Sequence, residues 1–152
     1  MIYHYKSLSA LQTKTIARTL AQEVIKFINK FNQALIIGLS GDLGSGKTVF
    51  AQGFGNGLGL KHKITSPTFL LVRKYKLNKK NFDYFYHLDM YRIKNLNELK
   101  TIDFQKIISN PKNIVLIEWA DVVKKNLPSD IIWVQLKHTT KNNQRIITIY
   151  IK

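Results

Sequence analysis

The stretch GLSGDLGSGKTVFAQGF, Gly38 to Phe54, restricts the fold of this chain more than any other segment. Within it, Gly41 to Thr48 (GDLGSGKT) fits G-x-x-x-x-G-K-[ST], the spacing of a phosphate-binding turn. A nearly continuous apolar run, Gln33–Leu39 (QALIIGL), precedes it and reads as a strand covered on both faces. After it, Phe50, Phe54 and Leu58 recur every four residues, which predicts a helix from about Lys47. Glycines allow the backbone between these elements to curl into a ring of N–H donors. Together with the positive end of the helix, those donors suit phosphate oxygens. Gly41, Gly44, Ser45, Gly46, Lys47, Thr48 and Val49 are therefore candidate nucleotide-binding residues. Lys47 would bring charge to the β- and γ-phosphates, and Thr48 a hydroxyl to the magnesium ion bridging them. A turn that merely tightens a strand–helix joint is the bland alternative, and the strand before and helix after count against it. The ligand expected is a nucleoside triphosphate.

The remaining chain supplies a frame for such a loop. Leu8 to Phe31 reads as an amphipathic helix, with Ser7 or Ser9 as its cap. Leu70–Leu77 and Asn81–Tyr91 read as strands, and Asn95–Ser109 as a helix ending before Asn110-Pro111. Asn113–Trp119 (NIVLIEW) is a second buried-type strand. Residues 131–138 and 144–152 alternate across the turn-prone TTKNN as a hairpin. The sum is α/β: one P-loop NTPase-like, three-layer domain over residues 1–152, with a mixed central sheet flanked by helices.

Composition narrows the setting. There is no cysteine, which excludes disulfides and thiolate metal sites. No apolar run nears the roughly 18 residues of a membrane span, and the first residues lack a signal-peptide pattern, so a soluble, cytoplasmic protein is expected. The formal charge of +15 favours anionic partners. The basic residues are nevertheless dispersed, with local clusters at Lys61–Lys63, Arg73–Lys80 and Lys124–Lys125, and no aromatic-interleaved basic stripe appears.

Magnesium also needs a carboxylate at the end of a neighbouring buried strand, and only nine acids exist. Glu118 closes the run Ile114–Ile117 and is the first candidate for the metal shell. Asp89 closes the other strand and is the better candidate to position the attacking water, although the opposite assignment remains open. His87, Asp89 and Tyr91 share one face of an extended segment, where His87 reads as a hydrogen-bonded structural residue rather than a metal ligand. Trp119 reads as a packed aromatic that can close the site against water. Ile64–Phe69 (ITSPTF) occupies the place of a switch segment, with Thr68 near the γ-phosphate, although TSPT alone is only a turn.

In order, GDLGSGKT, ITSPTFLLVRKY, HLDMYR and LIEWAD resemble the bacterial TsaE family, from the N-terminal helix to about Pro128. The resemblance implies a small ATPase that uses ATP and magnesium. It further implies a part in forming threonylcarbamoyladenosine on tRNA beside the anticodon, acting on the TsaB–TsaD pair. On that reading Lys47 and Thr48 keep their phosphate and magnesium roles. Glu118 looks like the family's metal-site acid, Asp89 its partner acid, Thr68 part of the switch-like segment, and Trp119 the aromatic of its EW pair. The tRNA belongs to the assembly, with direct contact left open. Asp121 receives no catalytic role, and Arg145 resembles an arginine in the family's C-terminal segment, with no role assigned to it. Two other classes compete: a small-molecule kinase and a nucleotide-switched nucleic-acid-binding module. Arg18, Arg73, Arg92 and Arg145 are too scattered for a kinase lid, and the absence of an N-K-x-D stretch disfavours a GTPase.

Overall fold

Leu35–Ser40, the apolar run before the phosphate loop, forms the central strand β2, and all but its last residue are buried. Burial on both faces follows from its place among parallel neighbours covered by helices on either side. In the computed structural model residues 1–26, 32–61 and 64–151 are described. The first helix, expected to run to Phe31, ends at Val24 with Ile25 as its C-cap; residues 27–31, part of the Lys61–Lys63 cluster and the final residue of the hairpin lie outside the described residues.

The chain runs β1 (Ile2–Ser7), α1 (Ala10–Val24), β2, α2 (Lys47–Gly57), β3 (Val72–Lys79) and β4 (Phe82–Asp89). It continues through α3 (Glu98–Thr101), α4 (Phe104–Ser109), β5 (Asn113–Glu118), a 3-10 segment (Ala120–Asn126), β6 (Ile132–His138) and β7 (Arg145–Tyr150). One seven-stranded sheet has the order β1-β7-β6-β2-β5-β4-β3. Its inner strands β6, β2, β5 and β4 are parallel, while β3, β7 and β1 add antiparallel edges. This is the mixed, helix-flanked α/β sheet expected from the sequence.

Strand alternation divides the core in two. Leu35, Ile37, Leu39, Phe85, Ile114 and Leu116 pack towards α1 and α2, whereas Ile36, Leu88, Val115 and Ile117 pack towards α3 and α4. Ser9 caps α1 by accepting from the Gln12 N–H at 3.1 Å, which settles the choice between the two candidate serines. Ser7 instead bonds the Thr13 hydroxyl at 2.7 Å.

Two elements differ from expectation. The single helix expected over Asn95–Ser109 is two short ones, broken at Asp103, whose φ is 53°. Leu99 and Phe104, Ile107 and Ile108 are buried, so the break replaces Asp103 by Phe104 on the core face. An unbroken turn from Leu99 would have put Asp103 there. Strand β1 was not legible at all. It pairs only with β7 and exposes five of its six residues, so it carries no inside–outside alternation.

Helix α2 reaches the sheet through Phe50, Phe54 and Leu58 and meets α1 through glycines. A methyl group at Gly53 would stand 2.6 Å from the Lys14 Cα, and one at Gly57 would stand 2.7 Å from the Ala21 Cβ. Gly→Ala inside a helix ordinarily stabilises by about 1 kcal/mol. Here Gly53→Ala is expected to destabilise instead, by about 1–3 kcal/mol, because the two helix backbones must part. Equilibrium urea unfolding of both proteins checks the sign.

Candidate nucleotide-phosphate site

Parallel pairing aligns the functional ends of three strands. Leu39 of β2 is in register with Glu118 of β5, and Glu118 with Asp89 of β4. Cross-strand neighbours share a face, so both carboxylates lie on the α2 side of the sheet, at the edge from which the loop departs. Ligands of open α/β sheets gather at that carboxyl edge.

Gly41 to Gly46 form the turn. Gly41 has φ 140° and lies tight against the Leu136 carbonyl of β6, leaving no room for a side chain. Gly46, at φ 101°, is the N-cap of α2 and turns the chain directly into the helix. Lys47, Thr48 and Val49 thus occupy the first turn, where backbone N–H groups lack intrahelical partners. Leu43 at the loop tip is 71% exposed, while Ser45 is buried.

The Lys47 ammonium donates to the carbonyls of Gly41 at 2.6 Å and Asp42 at 2.8 Å, and lies 3.8 Å from the centre of the Trp119 ring. The residue is only 5% exposed. Burial pushes its pKa below the ordinary 10.5, and the charges of Glu118, Asp121, Asp89 and Asp42 oppose that shift only in part. Trp119 itself adopts a left-handed conformation, φ 57°, as β5 turns into the 3-10 segment, and its ring packs against Tyr91 at 4.9 Å. Such a conformation costs a non-glycine residue about 1–3 kcal/mol. It brings the indole over the lysine.

Glu118 is buried and held at both oxygens. Thr48 Oγ1 donates to Oε2 at 2.9 Å, and His87 Nε2 donates to Oε1 at 2.8 Å. The hydroxyl and carboxylate therefore stand together beside Lys47, a pair of hard oxygen donors of the type magnesium takes. Among the described residues no cluster of three or more His, Cys, Asp or Glu side chains could cage a metal. His87 is engaged with Glu118, consistent with the hydrogen-bonded role read from its sequence position.

Asp89 anchors the connection from α2. Its Oδ2 accepts from Thr68 at 2.8 Å and Ser66 at 3.1 Å, and its Oδ1 accepts from the Tyr91 N–H at 3.0 Å. Thr68 and Asp89, singled out separately in the sequence, thus meet directly. Ser66 joins them. Its hydroxyl is a contact that the TSPT turn did not announce.

Sequence reasoning also missed the far wall of the loop. Arg145 of β7 donates to the carbonyls of Ser45 and Gly44, each at 3.1 Å, and His138 of β6 donates to the Leu43 carbonyl at 3.2 Å. Arg145 resembles an arginine of the family's C-terminal segment but carries no role from it, and nothing in the sequence points to His138.

The sequence model of the family described as "Threonylcarbamoyl adenosine biosynthesis protein TsaE" matches residues 8–147. The chain is 38% identical over 148 residues to the tRNA threonylcarbamoyladenosine biosynthesis protein TsaE of Rickettsia prowazekii (strain Madrid E), covering 93% of this chain and 90% of that protein. It is 31% identical over 134 residues to the TsaE of Bacillus subtilis (strain 168), covering 85% and 81%. The crystal structure of Bacillus subtilis YdiB superposes with a TM-score of 0.69 at 25% identity, over 98% of this chain and 84% of that one.

Burying the Lys47 charge costs stability, because folding lowers its pKa. Near the lowered pKa and up to 10.5 the unfolded chain holds more protons at this group, so its contribution to stability rises with pH across that window. Lys47→Met keeps the aliphatic stem and removes the charge. It is expected to raise the thermal midpoint measured without nucleotide at pH 7, and to show no rise on adding ATP, whereas wild type is expected to show one. Scanning calorimetry with and without ATP reads both effects.

Proposed function

The chain belongs to the TsaE family, and from that premise we propose that it is an ATP-binding and ATP-hydrolysing accessory protein of the TsaB–TsaD complex. The family acts in tRNA threonylcarbamoyladenosine biosynthesis. The finer reading is a single cytoplasmic ATPase domain over residues 1–152 whose turnover supports that modification next to the anticodon. One observation carries the ATPase part: the 2.9 Å bond from Thr48 to Glu118, placed beside the buried ammonium of Lys47 at a helix N-terminus.

In this reading the loop amides and Lys47 hold the β- and γ-phosphates, and Lys47 exchanges its bonds with Gly41 and Asp42 for phosphate oxygens. Thr48 and Glu118 would hold magnesium, which when bound neutralises charge building on the β,γ-bridge. His87 fixes the rotation of the Glu118 carboxylate. Asp89 orients a water in line with the γ-phosphorus, with Thr68 and Ser66 setting the direction of its carboxylate. The water oxygen bonds to phosphorus, the bridging oxygen leaves with ADP, and the water proton passes to Asp89 or to the released phosphate. Trp119 closes the phosphate side against bulk water.

The partners follow the family's pathway, with tRNA present in the assembly. The +15 charge supports general attraction to that polyanion.

Slow ATP hydrolysis by the isolated chain is expected, rising on addition of TsaB–TsaD; a rate indifferent to the partners would remove the accessory role. Glu118→Ala is expected to reduce magnesium-dependent kcat at least about tenfold, with ADP affinity within about threefold of wild type. A full rate in that variant would take Glu118 out of the site. Asp89→Ala should lower kcat by about 100-fold or more while ATP still binds, as measured by phosphate release alongside calorimetric titration.

A further inference from the structure

The phosphate loop is fastened from outside by a part of the fold to which no role has been assigned. His138 and Arg145 are register partners on β6 and β7. Between them they take three consecutive loop carbonyls, those of Leu43, Gly44 and Ser45. Arg145 also holds its own hairpin turn, donating through Nη1 to the Asn142 carbonyl at 2.6 Å and the Gln144 carbonyl at 2.8 Å. Nε and Nη2 go to the loop and Nη1 to the turn, so the planar fork of the guanidinium spans the two segments. Among the described residues Arg145 makes no ion pair, so its charge is not cancelled locally.

Peptide planarity turns this outer clamp into an inner effect. In a trans peptide the C=O of one residue and the N–H of the next point in opposite directions. Holding the Leu43 carbonyl against His138 directs the Gly44 N–H away from the hairpin. Holding the Ser45 carbonyl against Arg145 does the same for Gly46. Neither N–H donates to a backbone carbonyl among the described residues. The Ser45 N–H bonds the Asp42 carbonyl at 3.1 Å, which closes the turn on itself. Gly44 and Gly46 have no side chain to limit their backbones, so their peptide planes need an external restraint.

We propose that Arg145, with its register partner His138, is the positioning residue of the phosphate loop: its fork pins the Ser45 carbonyl outward and so pre-aims the Gly46 N–H at the phosphates, while its bond to the Gly44 carbonyl holds the peptide whose N–H closes the turn on Asp42. This rests on the reading of residues 41–48 as a phosphate site. A restraint that pre-forms the site acts on ground state and transition state alike, so its removal falls on KM rather than kcat. Lysine, with a single ammonium on a flexible stem, keeps the charge but cannot bridge loop and turn as a fork.

The experiment compares wild type, Arg145→Lys and Arg145→Ala in the full chain. Without nucleotide, hydrogen exchange is followed at Ser45 and Phe50, whose N–H groups bond Asp42 and Gly46. In Arg145→Ala both are expected to exchange about tenfold faster, while β5 amides keep their protection. With nucleotide, KM for ATP and Kd for ADP should rise by about 10- to 50-fold, kcat staying within about threefold. Arg145→Lys should recover only part of that loss. Unchanged exchange and KM in both variants would overturn the proposal, as would a loss confined to kcat or full recovery by lysine. Binding of neither ATP nor ADP by wild type would overturn the functional reading and the purpose given to the clamp. Wild-type binding with indifferent variants would overturn the Arg145 assignment alone.

Discussion

Parallel pairing of β2 with β5, and of β5 with β4, is the constraint from which the site follows. It brings Leu39, Glu118 and Asp89 to one level of the sheet and turns both carboxylates to the face where α2 begins. A slip of one residue in β5 would send Glu118 to the opposite face, among Val115 and Ile117. The Thr48 hydroxyl would then have no carboxylate to meet. That register is held by apolar residues far from any phosphate. Leu116 and Ile114 alternate with Val115 and Ile117 into two separate cores, so a slipped strand would exchange every contact it makes. The cores on the two faces therefore fix the site as firmly as the polar bonds within it.

Much of this was legible in the sequence because the relevant signals are local. The glycine spacing of residues 41–48, the apolar run before it and the four-residue repeat after it specify strand, turn and helix together. The positions of Glu118 and Asp89 at the ends of apolar segments mark strand ends, and strand ends in a parallel sheet converge. Thr68, in the connection after α2, and Trp119, next to Glu118, were offered by position, and the family resemblance pointed to the same place. In the fold both adjoin groups of the site, Thr68 at Asp89 and Trp119 over Lys47.

What stayed hidden depends on contacts between distant segments. Strand β1 is exposed along nearly its whole length and exists because β7 offers it an edge, a fact absent from its own six residues. The break at Asp103 reflects competition between helix continuity and the burial of Phe104, which only the assembled core decides. Arg145 is an isolated arginine in sequence, 100 residues from the Ser45 carbonyl it holds. His87 was visible as a buried-strand histidine, but its partner was not, since Glu118 lies 31 residues away.

The dehydrated ammonium of Lys47 reaches beyond chemistry. A protein that keeps a buried ammonium under an indole carries a desolvation cost that a bound anion can offset. Any ligand that binds only the folded chain adds to its stability in proportion to the logarithm of ligand concentration. An anion that binds only the folded chain at this ammonium would therefore raise the stability of the whole domain, and not only order the loop.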